Sequence, residues 1–154
     1  MAEKISVSDL SVGDWVCAEQ LCGVHSKPRL TPPMKVVGLG DGAGGWVNLM
    51  IDPEQGDPFE FEPSEIRGVP ITAEVLEKNG FVDNGVGQHY LKCGNGVTVR
   101  VGRSPLFHDG CWLVATDKQV DETITTTCVL FNAKQLHELQ RAMRLAKVGK
   151  EIVL

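Results

Sequence analysis

The stretch "TITTTCVLFNAKQLHELQRAMRLAK", Thr123 to Lys147, decides the fold class, because two periodicities meet inside it. Its first part, Thr123–Phe131, is rich in β-branched residues, which pack well on a pleated surface and read as a strand. Its second part carries apolar residues at helical spacing. Turned about 100° per residue, Leu136, Leu139, Ala142, Met143 and Ala146 fall on one side, and His137, Arg141 and Arg144 fall on the other. Asn132 is placed to cap this helix, and Gly149 to stop it near Val148. A strand that feeds straight into an amphipathic helix predicts a sheet with one face covered by that helix, an α+β arrangement.

The residues before it extend the same pattern. Gln88–Cys93, the turn "GNG" and Val97–Gly102 read as a hairpin, and Cys111–Thr116 follows the loop 103–110 as a further strand. Ile71–Phe81 reads as a short helix, with Thr72 as its cap and Asn79-Gly80 as its end. Upstream, Val12–Glu19, Met34–Gly40, Trp46–Ile51 and the alternating Phe59–Glu62 read as short strands joined by tight turns, among them the glycine-rich connection 41–45. Pro32 and Pro33 exclude a helix just before Met34. The expected organisation is a β-rich, SH3-like or small barrel-like lobe over 1–70. A helix, an antiparallel sheet and a C-terminal helix follow over 71–154, the two halves together making one compact unit.

The chain has 154 residues, 42% of them hydrophobic and 23% charged, the balance of a globular protein rather than a disordered one. Net charge is −5, unevenly placed: residues 1–80 carry −7 and residues 81–154 carry +2. The acidic total argues against coating nucleic acid, which requires phosphate neutralisation, but leaves a local basic surface near the C-terminus. No window approaches a membrane span and the N-terminal stretch lacks a signal-peptide core, so the expected location is the cytoplasm. Five cysteines with no CxxC pair suit reduced thiols.

His137-Glu138 opens a zinc-protease signature, but the residue four beyond the histidine is Arg141, which does not ligate zinc. Cys17, Cys22 and His25, or Cys93, His108 and Cys111, lack the paired knuckle spacing of a zinc site. No metal or cofactor is expected. The glycines at 38–45 are hairpin glycines, without the GxxxxGK[ST] order that cradles phosphate. Catalysis would require His108 with Cys111, or His89 with Cys93, to converge beside a third polar group.

Three motifs, "LSVGDWV" (10–16), "GVPITAEVLEKNGF" (68–81) and "LHELQRAMRLAKVGKEIVL" (136–154), resemble a family of small proteins from Bacteroides-type gut bacteria and their phages and mobile elements. The resemblance spans nearly the whole chain, with loops 21–33 and 83–88 outside it. It implies a cytoplasmic accessory protein and carries no activity or catalytic residue with it.

The expected function is therefore non-enzymatic binding of another macromolecule, most simply a protein. The candidate contacts are Arg141, Arg144 and His137 on the C-terminal helix, then Trp15 beside Pro32 and Pro33. Nucleic acid or nucleotide binding through the basic helix face is the alternative, and a small His/Cys enzyme the third reading.

Overall fold

The computed structural model describes residues 3–21, 23, 24, 26–40, 45–52, 54, 56–103 and 111–154, with backbone alone at 95 and 128–131. The glycine-rich connection (bar its last residue), Cys22, His25 and the loop holding His108 lie outside the described residues. The architecture is α+β: two antiparallel sheets and a C-terminal helix. The chain divides into two compact units, Met1–Pro70 and Ile71–Leu154. Among the described residues, no helix is long and apolar enough to cross a membrane.

The first unit holds β1 (Trp15–Gln20), β2 (Arg29–Leu30), β3 (Met34–Leu39), β4 (Val47–Met50), β5 (Phe59–Phe61) and β6 (Ile66–Gly68). β1 pairs with β6 along one edge and with β2 and β3 along the other, while β3, β4 and β5 form a meander. The sheet thus curls into a half-barrel, in keeping with the SH3-like expectation. Val16, Ala18, Met34, Val36, Val47, Leu49, Phe61 and Ile66 fill its inner face, as strand alternation requires.

Pro32 and Pro33 shape this unit by what they cannot do. Val16 faces Met34 and Glu19 faces Leu30, so two residues of β1 oppose three of the partner, a bulge. Neither proline has an N–H to donate. Thr31 takes over the pairing: its N–H donates to the Ala18 carbonyl at 2.8 Å and its Oγ1 accepts from the Ala18 N–H at 2.9 Å.

The second unit runs α1 (Ala73–Lys78), β7 (Val82–Asp83), β8 (Gln88–Lys92), β9 (Val97–Arg103), β10 (Trp112–Gln119), β11 (Thr125–Ala133) and α2 (Leu136–Leu145). The strands form an uninterrupted antiparallel meander, one strand more than expected because Val82–Asp83 pairs with His89 and Tyr90. His89, Leu91, Val99, Val101, Trp112, Val114 and Thr116 point inward and are buried, and α2 packs against β10 and β11. The Trp112 indole N–H donates to the Ile71 carbonyl at 3.0 Å.

Both helices end in the same way. The Phe81 N–H reaches the Leu76 carbonyl and the Gly80 N–H that of Glu77, a Schellman turn with Gly80 at φ +84°. At the end of α2, Val148 donates to Met143 and Lys147 to Arg144, but the left-handed position is Lys147, at φ +55°. The expected stop, Gly149, lies two residues too late. The expected cap, Asn132, remains in β11, and Gln135 is the N-cap.

Asn79 joins the two ends of the unit. Its Nδ2 donates to the carbonyls of Val75 and Val153, each at 2.8 Å, and its Oδ1 accepts from the Val153 N–H at 2.7 Å. The Lys150 ammonium donates to the Asn79 carbonyl at 2.5 Å. Ile152, between these anchors, is buried. Asn79→Ala is expected to cost about 2–4 kcal/mol in urea unfolding and to release the tail 150–154 to fast amide exchange. Lys147→Gly is expected to raise stability by about 0.5–1 kcal/mol, because glycine takes the left-handed position without the Cβ clash.

Candidate functional site

The C-terminal helix carries most of the expected contacts. Glu138 is a capping residue: its Oε2 accepts from the backbone N–H of Lys134 at 2.7 Å and of Gln135 at 2.9 Å, tying off the helix start. Glu138 thus has a structural role at the start of α2. Among the described residues, no cluster of three or more His, Cys, Asp or Glu is placed to hold one.

The two faces of α2 are less equal than the wheel suggests. His137 is 5% exposed and Gln140 is 6% exposed, buried beside Leu136, Leu139, Ala142 and Met143. His137 therefore does not share the solvent face with Arg141 and Arg144. The first turn is covered around a wider sector than the last, and His137 lies in that turn. Arg141, Arg144 and Leu145 are exposed, as are Lys147 and Lys150 beyond the helix end. Arg141 and Arg144 thus share the exposed side of α2 with Leu145, a short ridge, and Lys147 and Lys150 follow beyond the helix end.

In the first unit the candidates separate. Trp15 is buried, not exposed: it faces Lys35 across the β1–β3 pairing, with the Lys35 ammonium 5.7 Å from its ring centroid. Pro32 and Pro33 are exposed on the bulge. Trp46 is half exposed, but its carbonyl accepts from Gly40, at the opposite end of β3 from Pro33. Trp46 therefore lies apart from Pro32 and Pro33, and Trp15 offers little exposed surface beside them.

The histidine–cysteine pair on β8 does not converge either. His89 and Cys93 stand four residues apart, about 13 Å along an extended chain. The His89 ring is buried edge-on to Trp112, with centroids 5.9 Å apart and its Nε2 3.8 Å from a Glu77 oxygen. Cys111 is buried, and its expected partner His108 lies outside the described residues.

Two features escaped the sequence reading. On the outer face of the second sheet, Arg100 on β9 grips Asp117 on β10, its Nη2 donating to Oδ1 at 3.2 Å and its Nε to Oδ2. The Thr127 hydroxyl donates to the same Oδ1 at 2.7 Å. The guanidinium, helped by that hydroxyl, holds the Asp117 carboxyl below the ordinary carboxylate range against the opposing effect of burial. Strand alternation places both residues outward, but only the register makes them diagonal neighbours.

The second feature is a cavity of about 320 Å³ under the last turn of α2, lined by Cys93, Val97, Thr116, Lys118, Ala146 and Lys147 among others. Burial pushes the Cys93 thiol up, and Lys150 offsets this in part, so Cys93 is a neutral thiol near pH 7 rather than a ready nucleophile.

The stability contributed by a carboxyl of lowered pKa is present above its ordinary value, about pH 4, and is lost as pH falls through the lowered one. Asp117→Asn should therefore remove part of the loss of stability below about pH 4, and cost about 1–3 kcal/mol at neutral pH. An unchanged acid limb in urea titrations would count against the Arg100–Asp117 pair. No family model, curated protein or solved structure matches the chain.

Proposed function

We propose that this chain is a non-enzymatic accessory protein of a phage or mobile element, acting in the cytoplasm by binding another protein through the exposed side of α2. The observation that carries the reading is the pair of exposed arginines, Arg141 and Arg144, on α2 with Leu145, 63% exposed, beside them. The remaining positions of the helix are largely buried, so the ridge stands on a rigid support. Arginines beside an exposed leucine favour a protein with an acidic surface, since arginine is enriched at interfaces and makes planar, two-pronged contacts with carboxylates. His89 and Cys93 stand apart on β8, so that pair supplies no catalytic constellation.

Nucleic acid is the second reading, and the two exposed arginines, with exposed Lys147 and Lys150 following in the sequence, favour it. The two differ in salt dependence, because phosphate contacts release counterions and lose affinity steeply with salt. The tagged protein is expected to capture a partner from lysate of the cells that encode it, and to keep it after nuclease treatment. Arg141→Glu with Arg144→Glu should weaken that capture at least about tenfold, or 1.4 kcal/mol, with the fold unchanged by circular dichroism. Capture lost with nuclease moves the assignment to nucleic acid, and capture indifferent to the double substitution removes the ridge from either reading.

A further inference from the structure

We propose that the cavity beneath the C-terminal turn of α2 is a binding site for a small organic anion, a carboxylate or phosphate head on a short chain bearing a hydrogen-bonding group.

The cavity arises from a mismatch of lengths. α2 ends at Leu145 and the chain turns away through Lys147, whereas β8, β9 and β10 continue past that point. The last inward rows of the sheet are Leu91, Val99 and Thr116, then Cys93, Val97 and Lys118. Opposite them, among the described residues, stand Ala146, Lys147, Val148 and Gly149. The resulting volume, about 320 Å³, falls at the lower end of sites that hold small molecules, roughly 300–1,000 Å³.

Beside its inner end lies a buried polar atom where packing alone would place an apolar one. Thr116 is 1% exposed, lines the cavity, and its buried Oγ1 makes no hydrogen bond. A valine has nearly the same shape and would leave no polar atom unpaired, so a hydroxyl here opposes folding unless a bound group engages it.

Its mouth is cationic. Lys118 approaches from the end of β10 and Lys147 from the helix turn, and both residues are exposed. The Lys150 ammonium, held by the Asn79 carbonyl, adds positive potential near Cys93. Asp117 is the single carboxylate among the lining residues, and both its oxygens are engaged by Arg100, with Thr127 on one of them. It therefore competes little for an incoming anion. Val97, Ala146 and Val148 give a short hydrocarbon body an apolar wall, and the neutral Cys93 thiol does not repel the head group.

This site is independent of the Arg141/Arg144 ridge, and its test alters neither arginine. Lactate, 3-hydroxybutyrate, glutarate and glycerol 3-phosphate, with inorganic phosphate as a head group alone, would be titrated into the isotope-labelled full chain. At least one of the four organic anions is expected to give saturable amide shifts at Thr116, Lys118 and Lys147. It should also slow iodoacetamide labelling of Cys93, read by peptide mass spectrometry. Thr116→Val should weaken that binding about tenfold without lowering the melting temperature, Thr116→Ser should restore it, and Lys118→Ala should weaken it comparably. Response to inorganic phosphate alone, confined to Lys118 and Lys147, would reduce the site to a surface ion contact and overturn the proposal. So would silence from the whole set, or equal binding by Thr116→Val, which would mean that water satisfies the hydroxyl.

Discussion

The second unit closes on one amide side chain. Asn79 terminates α1, and the same carboxamide grips both backbone groups of Val153, so the end of the chain is held by the end of its first helix. Buried at 4% exposure, that amide has its donor shared between two carbonyls and its acceptor filled by one N–H. Such satisfied polar groups specify one arrangement, because any displacement of the tail would strand a donor and an acceptor out of water. The tail in turn carries Lys150 and Ile152 and leads out of the α2 turn, so the clamp sets where the cavity wall lies.

The sheet behind it divides its work by face. Inward alternation supplies the apolar row that α2 covers, with His89 and Thr116 as polar intrusions. Outward alternation places Arg100, Asp117 and Thr127 in one hydrogen-bonded group across three strands. Between Thr116 and Asp117 the pairing with β11 slips by one residue, leaving Cys128 as the extra residue of a bulge. That bulge brings Thr127 opposite Asp117, where its hydroxyl completes the carboxylate's bonding. A local irregularity of the ladder thus decides a polar contact.

The first unit solves a related problem with different means. Two consecutive prolines interrupt a strand that must still pair with β1, and a threonine hydroxyl substitutes for the missing backbone partner. The half-barrel is thereby bent without leaving the Ala18 N–H unpaired. The same bend presents Pro32 and Pro33 to solvent and leaves Trp15 beneath Lys35.

Local sequence determined most of the elements of this protein. Alternation, helical periodicity and glycine or proline punctuation act over a few residues, and so Thr72 caps α1, Gly80 ends it, and the strands fall close to their expected places. Tertiary structure decided what depends on residues distant in sequence. His137 lies within the reach of the helical wheel, yet its burial follows from how deeply the first turn of α2 is set. Lys147 holds a left-handed conformation that its side chain disfavours, because the tail must turn there toward Asn79. The Arg100–Asp117 pair needed the strand register, and the cavity needed the difference in length between helix and sheet. Neither quantity is carried by any short window, since both are set by packing between elements that the chain brings together only on folding.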